Sequence, residues 1–129
     1  WITDRSALDM VAYTLFDLAG TNHDPERVAA YIQRCIEVVN RYCGLVVLVP
    51  PGIPYVEAEG KPPACLTRQE MMNVLIRGLL NDPRVEVARW GFKRDLTDLE
   101  ERVETLGQIQ TRFLAYLKRV PGEGARVIH

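Results

Sequence analysis

Histidine is almost missing from this chain: its 129 residues include only His23 and His129. Cysteine is scarce as well, with Cys35, Cys43 and Cys65 and no CxxC pair. A structural zinc site takes about four such ligands at close spacing, so a zinc module is excluded. The odd cysteine count argues against a disulfide framework and fits reduced thiols in a cytoplasmic protein. Cys35 falls inside a helical apolar pattern and is expected as a small buried hydrophobe. There is no excess of basic charge either: 16 Lys and Arg stand against 17 Asp and Glu, for a formal net charge of −1. A broad nucleic-acid surface shows as a basic domain, so no nucleic-acid partner is expected. No stretch is long and apolar enough for a membrane span, and no secretory signal pattern opens the chain. Internal repeats and low-complexity tracts are missing too.

What is present is a chain 47% hydrophobic and 26% charged, enough apolar material for one core. Trp1-Ile2-Thr3-Asp4 reads as the end of a strand. Ser6-Ala7-Leu8-Asp9 resembles a capping box with Asp in place of Glu. Leu8, Val11, Ala12, Leu15, Phe16 and Ala19 follow at helical spacing, and Gly20 supplies the stop. Asp24-Pro25 starts a second helix, to about Tyr42, with Val28, Ile32, Cys35, Ile36 and Val39 as its apolar stripe. Leu45-Val46-Val47-Leu48-Val49 lies between Gly44 and Pro50-Pro51-Gly52. Such a run predicts a strand buried on both faces, as in a parallel sheet covered by helices. Residues 50–66 are a long proline-rich connection, and such connections tend to carry function. Thr67-Arg68-Gln69-Glu70 is a capping box for a third helix running to about Leu80. Val85 to Gly91 suggests another strand.

The last helix is expected from a cap at Asp95 or Thr97 to about Val120. Leu96, Leu99, Val103, Leu106, Phe113, Leu117 and Val120 follow steps of three and four, with Gln110 at the one polar position. The pattern is read as a helix packed on its own domain; the sharper alternative, a coiled-coil seam for a partner, usually takes about three or four uninterrupted heptads. The domain is taken as 1–120, with 121–129 as a flexible tail.

Asp4-Arg5 at a strand end, beside a helix N-terminus, suits phosphate chemistry. The carboxylate can accept a hydroxyl proton or hold a metal-bound water, and the guanidinium can grip a phosphate. Tyr13 stands one residue off the apolar stripe, where its ring could stack on a base or simply pack. Lys61 in the loop, and Arg68 in the first turn of the next helix, are cations placed to neutralise a transferring phosphoryl group. A cation in a first turn runs against the helix macrodipole, which singles out Arg68. Arg84, Arg89, Lys93 and Arg94 read as a solvated rim. Glu100, Glu101, Arg102 and Glu104 read as the wet face of the last helix.

In that order of elements, Trp1 to Leu15 resembles the central segment of P-loop nucleoside and nucleotide kinases. Thymidylate kinases carry Asp-Arg at the end of a strand, then a helix with Ala-Tyr; here Asp4-Arg5 and Ala12-Tyr13 stand in those places. Leu45 to Lys61 is similar to nicotinamide riboside kinase-like ATP-binding proteins, which follow a strand with a proline-containing turn and an acidic-Gly-x-basic lid; Glu59-Gly60-Lys61 takes the lid position. The resemblance spans roughly residues 1–118. It implies a helix-rich, three-layer α/β fold, with a parallel sheet covered by helices on both faces. It also implies ATP- and Mg²⁺-dependent phosphoryl transfer to a nucleoside, nucleotide or similar small hydroxyl acceptor. On it, Asp4 and Arg5 are catalytic, Arg5 and Tyr13 bind substrate, and Lys61 and Arg68 serve the lid. Asp4 would reach the metal only through water. A homodimer is compatible with it.

The chain departs from the family in one respect: no GxxxxGK[ST] occurs, and Gly60-Lys61 runs into Pro62. In the family the P-loop strand lies between the Asp-Arg strand and the one matching Leu45 to Val49. Buried edges left unpaired cost about 1–3 kcal/mol per group. The expectation is therefore a partial kinase-like domain whose N-terminal strands belong to a longer chain. The alternative is a non-catalytic helical interaction or oligomerisation module using the 95–120 helix.

Overall fold

The computed structural model describes residues 2–52, 56, 58–61, 63, 65–93 and 95–119. Four helices and two strands follow in the order α1 (Ala7–Leu18), α2 (Pro25–Tyr42), β1 (Leu45–Leu48), α3 (Leu66–Leu80), β2 (Ala88–Gly91) and α4 (Leu99–Arg119). Residues 2–5 form no strand. This corrects the reading of the N-terminal segment as the end of one, and Trp1 lies outside the described residues. Four residues with no partner strand have no ladder to satisfy their backbone groups, and such a segment stays irregular.

The first two helices start where their caps direct. Ser6 Oγ accepts the Leu8 N–H at 3.2 Å, and the Ser6 N–H donates to Asp9 Oδ2 at 2.7 Å. Asp therefore completes the capping box as Glu would. Asp24 Oδ1 accepts the Glu26 N–H at 3.0 Å ahead of Pro25, and α2 ends at Tyr42 as expected. The later starts differ from expectation. Helix α3 begins at Leu66, behind Cys65 and without a side-chain cap, so Thr67 lies inside the helix. For α4 it is Asp98 that caps, its Oδ1 accepting the Glu101 N–H at 2.9 Å, rather than Asp95 or Thr97.

Strands β1 and β2 pair in parallel, Leu45 with Ala88 through Leu48 with Gly91. The Phe92 N–H extends the ladder by donating to Leu48 O at 3.0 Å. A parallel pair needs a crossover, and α3 supplies it, giving a β–α–β unit. All four residues of β1 are half-buried, not buried on both faces as the apolar run suggested. The reason lies in the sheet: among the described residues β1 has a neighbour on one side only.

The core lies where α1, α2 and α3 meet the segments leading into the strands. Leu8, Ile36, Val39, Leu80, Val85 and Val87 form it, with Val46, Leu48 and Ile76 packed against it. Leu8 and Val39 are fully buried. The Thr14 hydroxyl donates to Tyr31 Oη at 3.3 Å, while Leu8 meets the later turns of α2, so these helices run antiparallel. By the same logic α1 and α3 are antiparallel: Arg68 opens α3 beside Phe16, and Leu80 closes it beside Leu8. Asn40 ties α2 to the approach to β2, donating to Arg84 O at 2.8 Å and accepting the Glu86 N–H at 2.9 Å.

Helix α4 is joined to β1 at both ends. Arg102 reaches Pro50 O at 3.1 Å, and a Cβ added to Gly44 would come within 3.2 Å of the Phe113 ring. It therefore runs antiparallel to β1. Its buried residues are Arg102 and Ile109. Leu99, Val103, Leu106 and Leu117, four residues of the expected seam, are exposed. Val120 and the 121–129 tail lie outside the described residues. No described helix is long and apolar enough to cross a membrane.

Candidate functional site

Asp4 and Arg5 sit in exposed coil ahead of α1. The Thr3 hydroxyl donates to Arg5 O at 3.2 Å and its oxygen accepts the Arg5 N–H at 3.5 Å, which folds residues 3–5 into a tight turn. The Arg5 guanidinium lies over the Tyr13 ring, 5.3 Å from its centroid. The two expected substrate-binding residues are therefore brought together on the outside of α1. Asp4 makes no hydrogen bond or ion pair with a described residue.

Arg68 stacks over Phe16 at 4.9 Å, one turn along α1 from the Tyr13 ring that carries Arg5. Residues three apart on a helix are neighbours on its surface, so the two guanidinium–ring stacks occupy successive turns of one face. The stacking also explains why a cation occupies a first turn: contact with the ring offsets the unfavourable macrodipole. Lys61 sits in a turn closed by its own N–H to Ala58 O at 3.0 Å. Gly60 within it takes φ 79°, a conformation that favours glycine. Ala58, Glu59, Lys61 and Pro63 line an open hollow of about 370 Å³, and none of Asp4, Arg5, Tyr13 or Arg68 reaches it. Asp4 and Arg5 thus stand apart from the Lys61 hollow, while Arg68 lies one helical turn from the Arg5–Tyr13 pair.

Arg102, read as part of a wet face, is instead buried, with 6% of its surface exposed. Its Nε–H donates to Leu96 O at 2.6 Å and its Nη1 to Pro50 O at 3.1 Å. Its buried Nη2 finds no acceptor among the described residues. No carboxylate pairs with it in the described residues. Burying a cation without a described anion beside it is costly, so this guanidinium is a group that a bound anion would satisfy. It sits just beyond the carboxyl end of β1, where open α/β sheets bind ligands. A face in the α4 sequence could have revealed it: Arg102, Thr105, Ile109, Phe113 and Tyr116 repeat at helical spacing. The neighbouring leucine stripe is stronger and hides it.

The other arginines are explained by structure. Arg84 grips Asp82 through Nε to Oδ1 at 2.9 Å and Nη2 to Oδ2 at 2.8 Å, an exposed fork. Arg89 donates to the Leu80 carbonyl, fastening β2 to the end of α3. Lys93 is exposed, and Arg94 lies outside the described residues. Cys35, Cys43 and Cys65 are free thiols, and Cys35 is half-buried rather than buried. Burial pushes the Cys43 thiol upward, away from thiolate reactivity. Among the described residues no three His, Cys, Asp or Glu side chains converge on a metal position. No family model, curated protein or solved structure matches the chain.

Proposed function

We propose that this chain is the acceptor-and-lid part of a P-loop-kinase-like α/β domain. Within a longer chain it would carry ATP-dependent phosphoryl transfer to a nucleoside, nucleotide or similar small hydroxyl acceptor in the cytoplasm. The observation that carries the reading is the parallel β1–α3–β2 unit, whose first strand ends on a buried arginine with no carboxylate partner among the described residues. A lone guanidinium at the carboxyl end of a parallel strand favours anions there. The open second edge of β1 supports the reading further, since it leaves room for the strand that would precede a phosphate-binding loop.

ATP with Mg²⁺ would supply the phosphoryl group and the charge that neutralises it. The residues present fit the acceptor side of that chemistry: Arg5 and Tyr13 form one contact surface, and Asp4 beside them is free to orient or deprotonate a hydroxyl. Asp4 is a single carboxylate, suited to meeting the metal through water. Arg68, over Phe16 one turn along α1 from Tyr13, would add a second cation to that surface.

The test is phosphoryl transfer by the chain extended upstream through a GxxxxGK[ST] segment. Asp4→Asn is expected to abolish turnover while the far-ultraviolet circular dichroism stays unchanged. Full turnover by that variant, or an upstream frame without such a segment, overturns the proposal. One observation favours a second reading, a non-catalytic helical interaction module: the bare apolar side of α4.

A further inference from the structure

Helix α4 is apolar over two adjacent faces, and its own domain uses one of them. At 3.6 residues per turn, Arg102, Thr105, Ile109, Phe113 and Tyr116 share a face, and all are buried or half-buried. Beside that face runs a stripe of Leu99, Val103, Leu106, Gln110, Leu114 and Leu117. Its five apolar members are 60, 63, 40, 50 and 42% exposed in that order. A surface helix of a monomer needs one apolar stripe about 100° wide, and here the apolar arc is close to twice that. The bare stripe steps by fours and threes, the spacing that lets two helices interlock.

Charge along α4 decides what fits. Glu100 in its first turn and Lys118 in its last flank the stripe on the same side, whereas Glu101, Arg112 and Arg119 lie on the far side of the helix. A second copy lying parallel would set acid on acid and base on base. A second copy lying antiparallel sets Glu100 beside Lys118, twice over by the two-fold axis. That register places both Gln110 side chains near the axis, where their amides can pair and fix the alignment.

We infer that the α4 stripe is a self-association surface, and that two copies of this chain pair through it in antiparallel fashion. This rests on the second reading and adds the identity of the partner. The experiment is sedimentation equilibrium of the 129-residue chain across a dilution series. A reversible monomer–dimer equilibrium is expected. Val103→Asp, at an exposed position that leaves the domain folded, should abolish the dimer. Lys118→Glu should raise the dissociation constant at least tenfold, and adding Glu100→Lys to it should restore most of that loss. A single-chain mass at every concentration overturns the self-pairing. A dimer indifferent to Val103→Asp overturns the stripe as the interface, and with it the second reading. A charge swap that fails to repair Lys118→Glu overturns the antiparallel register.

Discussion

The two ends of the chain's fold are held by different means. Around α1, α2 and α3 the binding force is apolar: Leu8, Ile36 and Val39 are almost wholly removed from water, with Leu80, Val85 and Val87 closing the cluster. Between β1 and α4 the apolar contacts of Ile109 and Phe113 are joined by a polar clip: one arginine spans from Leu96 O to Pro50 O, with Gly52 tight against its head. The first is many weak contacts that tolerate small shifts. The second is a few directional bonds around a desolvated charge, where each atom matters. Regions of the second kind are where ligand sites are found, because a partly satisfied polar group still has affinity to offer.

Truncating the apolar region tests its share most severely. Leu8→Ala removes a side chain with no exposed surface and leaves a cavity between three helices, at a cost of about 2–5 kcal/mol. Urea denaturation should show the midpoint falling with the slope unchanged. A loss below ~1 kcal/mol would mean that the helices collapse around the gap, and that this core is softer than its burial indicates.

The polar region is tested at Gly52. A Cβ there would lie 2.5 Å from Arg102 Nη2, and the guanidinium cannot retreat without giving up Leu96 O or Pro50 O. Gly52→Ala should cost about 1–3 kcal/mol, less than Leu8→Ala, and should loosen α4 before the rest of the domain. Amide exchange in α4 rising well above that in α2 is the diagnostic result. Uniform exchange would show that Arg102 moves aside freely and does not clip α4 to β1.

These two regions were not equally legible in the sequence. The apolar region was read well because its signals are local: Ser6 and Asp9, Asp24 and Pro25, and the 3.6-residue stripe through Ile36 and Val39 each act within a few residues. The polar region was misread for the opposite reason. Whether Arg102 points to water or to Pro50 depends on a residue 52 positions away, and no local pattern carries that. The N-terminal segment shows the same limit. Trp1 to Asp4 has strand-forming residues, but a strand exists only by pairing, and residues 2–4 pair with nothing described. Order along the chain likewise says nothing of which cations share a surface: the packing of α3 on α1 sets Arg68 over Phe16, one turn from the Arg5–Tyr13 stack, whereas Lys61 lines a separate hollow.

A smaller contrast concerns glycine within α4 itself. Gly107 lies in mid-helix with nothing within 4 Å of where its Cβ would be. Gly107→Ala should therefore stabilise by about 0.5–1 kcal/mol through the unfolded chain, the reverse of Gly52→Ala. Thermal melts of the two variants should move in opposite directions. Destabilisation by Gly107→Ala would place another surface against that point of α4.

The smallest effect is electrostatic and belongs to the apolar region's rim, where Arg84 meets Asp82. Their fork holds the Asp82 carboxyl down at about 2, through side-chain and backbone hydrogen bonds from Arg84. The unfolded value is about 3.9. A carboxyl depressed on folding stabilises above its unfolded pKa, and that stability drains away as pH falls from about 4 toward 2. Arg84 is half exposed, with 47% of its side chain in water, so screening keeps the pair's contribution the smallest of these effects. Asp82→Asn should thus be slightly less stable than the parent at pH 6, the gap closing by pH 2 and narrowing in salt at any pH. A gap that persisted at pH 2 would show that the Asp82 turn stabilises by shape alone, since Arg84 N–H to Oδ1 at 2.9 Å is a bond that Asn keeps.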